Sequence, residues 1–179
     1  MPKEQAFVAI PGEKLLEAIG EVSVKWAALE WQLDNMLFWA SDPADAETDK
    51  LIREGSARAR WRRLKDIVKL EHATHPGTLG LTMLIDDCLS LKGERDKVVH
   101  GVYGDHTSPE TAMLMMMQGG YEKGRGWAVT RPKVLEVARK VDEMARRLAD
   151  YRMTYAQPLD PAGSSFRMNA WRHKERAQD

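Results

Sequence analysis

The chain has 179 residues, 43% of them hydrophobic and 30% charged, which is one domain's worth of globular composition and excludes a disordered chain. Lys plus Arg and Asp plus Glu number 27 each, so the net charge is zero and any attraction to nucleic acid or anionic lipid has to come from local patches. No apolar run approaches the roughly 20 residues of a membrane span, and the opening Met1, Pro2, Lys3, Glu4, Gln5 lacks a signal-peptide pattern, so the sequence predicts a soluble, cytoplasmic protein with no membrane partner.

The clearest periodicity comes first. Leu15, Ile19, Val22, Trp26, Leu29, Leu33, Met36 and Ala40 recur at alternating spacings of four and three, which predicts one long helix over 12–40. Leu16, Ala27, Leu37 and Phe38 widen that seam, as burial against two neighbours in a bundle requires. Ser41, Asp42 and Pro43 end the helix and start a short one, with Asp42 as N-cap and Pro43 at the first helical position. Gly55 stops it. Ser56 then caps a third helix to about His72, with Trp61, Leu64, Ile67, Val68 and Leu70 facing inward and a charged face from Arg58 to Lys69. Thr74 to Gly77 is a turn, and a fourth helix runs over 78–100 with Leu81, Leu84, Ile85, Cys88, Leu89, Val98 and Val99 as its apolar residues.

Gly101 and Gly104 punctuate the end of that helix. Two short apolar runs, Ala112 to Met117 and Trp127 to Val129, flank a turn-like stretch and read as a β-hairpin or an extended flap. Thr130 and Pro132 start the last long helix, 131–157, in which Val134, Val137, Val141, Met144, Leu148, Tyr151 and Tyr155 repeat the helical spacing. The fold class is therefore all-α: an antiparallel bundle of four to five helices with a short hairpin excursion before the last. Residues 1–157 form the bundle. Residues 158–179 are a basic, aromatic tail whose Phe166 and Trp171 predict docking on the bundle or across a dimer.

Glu94, Arg95, Asp96, Lys97, Val98, Val99, His100 and Gly101 stand where a bundle helix ends. Here the sequence resembles the HEPN superfamily of α-helical bundles, whose members often carry an Arg, four to six residues, then a His. Arg95 and His100 match with four residues between, and Asp96 occupies the position after the Arg where that family favours a polar residue. The long first helix with Ala28, Leu29 and Glu30, the excursion after His100 and Gly101, and the closing amphipathic helix are similar to the family's layout over roughly residues 12–157. The resemblance implies a metal-independent endoribonuclease of toxin or defence type, acting as a homodimer that brings two motifs together, with RNA as substrate and a cognate antitoxin or regulatory protein as partner.

The residue chemistry supplies its own reading. Residues four apart share a helix face, so Asp96 is placed to orient His100. A His so placed is a proton-transfer group, and Arg95 is a permanently charged clamp for phosphate oxygens. The catalytic candidates are Arg95, Asp96 and His100: His100 takes the 2′-hydroxyl proton, the oxygen attacks the adjacent phosphorus, and Arg95 stabilises the charge that builds there. A non-catalytic alternative, a dimeric module binding a partner protein or a nucleotide, uses the same residues. A His at a helix C-terminus is favoured by the helix dipole in either case, and Arg95 with Glu94 and Asp96 also suits an ion-pair network.

Other constellations read as structure. Glu71, His72 and His75 are half a metal site with no third ligand, and the lone Cys88 has no partner, so no cofactor or metal is predicted. Met113, Met115, Met116 and Met117 are adaptable packing, and Trp26, Trp31, Trp39 and Trp61 are core and seam residues. Arg167 and His173 repeat a similar spacing in the tail, outside any helix-end context.

Overall fold

The computed structural model describes residues 10–41, 45–71, 73–74, 76–104, 108–116 and 125–156. The fold is all-α, with a small antiparallel sheet before the last helix. Helix α1 spans Glu13–Ala40, α2 Ala46–Glu54, α3 Ala57–Glu71 and α4 Thr78–His100. Strands β1 (Val102–Tyr103), β2 (Thr111–Met116) and β3 (Arg125–Thr130) follow, and α5 (Arg131–Tyr151) continues as a π-helical turn over Arg152–Ala156. No helix among the described residues is long and apolar enough to cross a membrane. The chain divides into two compact units: Met1–Ala28 with Ser90–Asp142, and Leu29–Leu89 with Glu143–Asp179.

The first unit holds the sheet. Leu15, Ala18 and Val22 of α1, Val98 of α4, Tyr103, Ala112, Leu114 and Val129 of the strands, and Val134, Val137 and Ala138 of α5 form one buried cluster. Strand alternation places Ala112 and Leu114 inward and leaves Met113 40% exposed on the other face. β2 pairs with both neighbours, Tyr103 against Leu114 and Leu114 against Trp127, and the Gly104 amide extends the first pairing to the Met113 carbonyl at 2.7 Å. The Arg131 amide donates to the Glu110 carbonyl at 2.8 Å, tying the start of α5 to the start of β2. Two glycines mark close approaches. A Cβ on Gly12 would lie 2.5 Å from Pro109 Cα, and one on Gly101 would collide with Leu114 Cδ1 and lie 2.5 Å from the Lys97 carbonyl oxygen.

In the second unit Leu29, Leu33, Met36 and Leu37 of α1, Trp61, Leu64, Ile67 and Val68 of α3, Leu81, Leu84, Ile85 and Cys88 of α4, and Met144 and Leu148 of α5 are buried. Charges clamp helix to helix. Arg60 of α3 makes a two-pronged contact with Asp34 of α1, Nε to Oδ1 and Nη2 to Oδ2 both at 2.8 Å, and reaches Glu30 at 2.7 Å. Arg147 of α5 lies 3.0 Å from Asp87 of α4. Burial pushes the Cys88 thiol up to about 12, which makes it inert packing.

Four sequence expectations change. The N-cap of α2 is Asp45, whose carboxylate accepts from the Glu47 and Thr48 amides at 3.1 Å each; Asp42 and Pro43 lie outside the described residues. Leu70 is 78% exposed, because nine residues beyond Trp61 is about 180° around a helix. Trp31 is 65% exposed for the same reason: with Val24 it lies on the face of α1 turned away from Leu29 and Leu33. Leu16, Ala27 and Phe38 are exposed too, so only Leu37 widens the seam as the spacing suggested. The boundary at residue 157, the tail with Phe166, Arg167, Trp171 and His173, and the half metal site's His72 and His75 lie outside the described residues.

Candidate active site

The end of α4 is held by three local devices, all within the first unit. Its last turn leaves carbonyls without intrahelical partners, and one of them, Val98, accepts a hydrogen bond from the Tyr103 hydroxyl. Burial raises that hydroxyl to about 12, so it stays a donor throughout the physiological range. Gly101 then lets the chain pass against Leu114 where any side chain would collide. Glu94 accepts from Lys140 of α5 at 2.7 Å, and that contact, the first among its causes, raises the Lys140 ammonium above its ordinary value.

On this frame the structure brings Arg95, Asp96 and His100 together. Arg95 Nη1 lies 2.8 Å from Asp96 Oδ1 and 2.8 Å from His100 Nε2. One guanidinium nitrogen carries two N–H groups, enough to donate to both. An arginine only donates, so His100 accepts with Nε2 in this contact, the arrangement of the tautomer with its proton on Nδ1. The Arg95 Cζ stands over the ring of the buried Trp26 of α1, 5.3 Å from its centroid, a cation–π contact. Arg95 is only 17% exposed and its buried Nε makes no hydrogen bond among the described residues, whereas His100 is exposed at the helix end.

Asp96 does not orient His100 directly. Its carboxylate takes Lys92, one turn earlier, and Arg95, so the chain of contacts runs Lys92, Asp96, Arg95, His100. Burial works to raise the Asp96 carboxyl, but the Lys92 and Arg95 hydrogen bonds outweigh it and hold the group below the usual carboxylate range. Asp96 is thus an ionised anchor for Arg95, and its charge is balanced locally. Chemically the cluster presents an exposed imidazole, able to act as a base through Nε2, beside a permanent cation.

Sequence reasoning found the Arg95 and His100 spacing but not the roles of Lys92, Trp26 and Tyr103. Lys92 was legible as an i, i+4 partner of Asp96; Trp26 and Tyr103 meet the motif only through tertiary packing. Among the described residues no group of acidic, His or Cys side chains is placed to hold a metal ion. No family model, curated protein or solved structure matches this chain.

Proposed function

We propose that the protein is a metal-independent RNA endonuclease of the HEPN type, with Arg95 and His100 at its reacting centre and Asp96 positioning Arg95. The observation that carries this reading is the 2.8 Å approach of Arg95 Nη1 to His100 Nε2, which gathers a cation and a base at one exposed helix end. His100 removes the 2′-hydroxyl proton; the 2′-oxygen bonds to the adjacent phosphorus as the bond to the 5′-oxygen breaks, leaving a 2′,3′-cyclic phosphate. The Arg95 N–H that meets His100 passes to the phosphoryl oxygens as their charge grows, while Asp96 keeps the guanidinium in place. The departing 5′-oxygen needs a proton donor, and a second copy of the motif across a homodimer supplies one when its imidazole is in the protonated form, so the two copies act in opposite protonation states.

Homodimerisation through the motif helix belongs to this reading. The exposed Val24 and Trp31, one heptad apart on α1, add apolar surface that favours self-association. A toxin or defence setting, with a cognate antitoxin or regulatory protein as partner, follows from the same resemblance. A second reading has an observation of its own. Arg95 is 17% exposed and already engaged by Asp96 and Trp26, which suits a non-catalytic module whose motif is a structural clamp.

Incubating the full chain with mixed RNAs in excess EDTA separates the two. The nuclease reading expects cleavage by the wild type and none by Arg95→Ala or His100→Ala, both retaining native circular dichroism. Intact RNA with the folded wild-type dimer assigns the module instead.

A further inference from the structure

A shallow cleft of about 240 Å³ opens in the first unit between the end of α4, the sheet and the start of α5. Its floor is aliphatic: Val98, Val129 and Val137 keep a small exposed surface there, backed by the fully buried Leu114 and Val134 of the same cluster. Three lysines stand on its rim. Lys140 is committed to the two acids that line the cleft, at 2.7 Å from Glu94 and 3.6 Å from Glu136. Lys97 and Lys133 make no hydrogen bond or ion pair among the described residues. Lys97 and Lys133 are therefore two cations without a salt-bridge partner among the described residues, in a lining whose three lysines outnumber its two glutamates by one, above an apolar floor; this matches a ligand with an apolar face and an anionic edge.

Size and position narrow the occupant. The volume falls below the roughly 300–1,000 Å³ of drug-sized sites, so the cleft admits one ring-sized group. Lys97 precedes His100 by three residues, and residues so spaced are neighbours on a helix surface, so the rim adjoins the candidate active site. Resting on the ribonuclease reading above, we propose that this cleft seats the nucleotide next to the scissile phosphate of single-stranded RNA, with its base on the aliphatic floor and its phosphates on Lys97 and Lys133.

The test is fluorescence anisotropy of the full-length protein with a short single-stranded RNA that is 2′-O-methylated throughout, in EDTA. This probe has no 2′-hydroxyl and survives intact whatever the activity. Replacing Lys97→Gln and Lys133→Gln together should weaken binding by about tenfold or more and flatten the salt dependence by roughly 0.7 per lysine in log–log slope. The charge-retaining pair Lys97→Arg and Lys133→Arg should keep the parental affinity, as should Arg58→Gln with Arg62→Gln on exposed positions of α3. Parental affinity and slope in the Gln pair would overturn the cleft, even if the protein cleaves RNA. Lysine-dependent binding by a protein that never cleaves RNA would uphold the cleft and remove the nuclease reading, and no RNA binding at all would overturn both.

Discussion

His100 can accept from Arg95 only while its Nε2 lone pair is free, and this sets a requirement on one proton. In its neutral form His100 should carry hydrogen on Nδ1, which long-range nitrogen–proton NMR correlations read directly; the Nε2–H tautomer would break the Arg95 contact at the centre of the site. Gly101 carries a second residue-scale prediction. A methyl group there collides with the buried Leu114 and the Lys97 carbonyl, so Gly101→Ala should cost about 1–3 kcal/mol in urea unfolding, as overpacked sites do. The spacing of Arg95 and His100 was legible in the sequence because the motif is local. Their bonding was not: the face-sharing rule paired Asp96 with His100, but Lys92 claims the same carboxylate, and the long Arg95 side chain spans the gap instead.

At the scale of elements, Asp45 controls the start of α2. The Thr48 hydroxyl, the Arg63 guanidinium and the Thr48 amide, in that order of weight, hold its carboxyl well below the usual aspartate range. A carboxyl depressed in the folded state contributes stability that is complete above its unfolded value, near pH 4, and is lost as pH falls toward the folded value. Asp45→Asn should therefore flatten the loss of stability below about pH 4 in acid titrations of the unfolding midpoint, and Asp45→Ala should cost about 0.5–2 kcal/mol at neutral pH through the lost cap. Unchanged acid sensitivity in Asp45→Asn would contradict this account of the cap. Two aspartates precede the helix in sequence, and the contact of Asp45 with Arg63, a residue of α3, is tertiary and was not legible there. The helices themselves were legible from periodicity. Their exposed apolar residues were less so, because a count of Leu and Trp at helical spacing does not say which side of Val24 and Trp31 the neighbours occupy. The cleft was invisible for a related reason: Lys97 and Lys133 are far apart in sequence and meet at one opening only because the strands return the chain to α4.

For the whole molecule, dimerisation is the consequence of the proposed chemistry, since one His100 cannot both take the 2′-hydroxyl proton and protonate the 5′-oxygen in the same step. Sedimentation at micromolar concentration should show a dimer, and Val24→Glu with Trp31→Glu, both on exposed α1 positions, should shift it toward monomer while leaving the fold intact. A strict monomer that cleaves RNA would remove the composite site. Cleavage by the RNA's own 2′-oxygen leaves its signature in the chemical ends of the products. Mass spectrometry of RNA treated with the protein in EDTA should find 2′,3′-cyclic phosphate and 5′-hydroxyl termini, none of them when His100→Ala replaces the wild type. Termini bearing 3′-hydroxyl and 5′-phosphate, or equal cleavage by His100→Ala, would contradict the account.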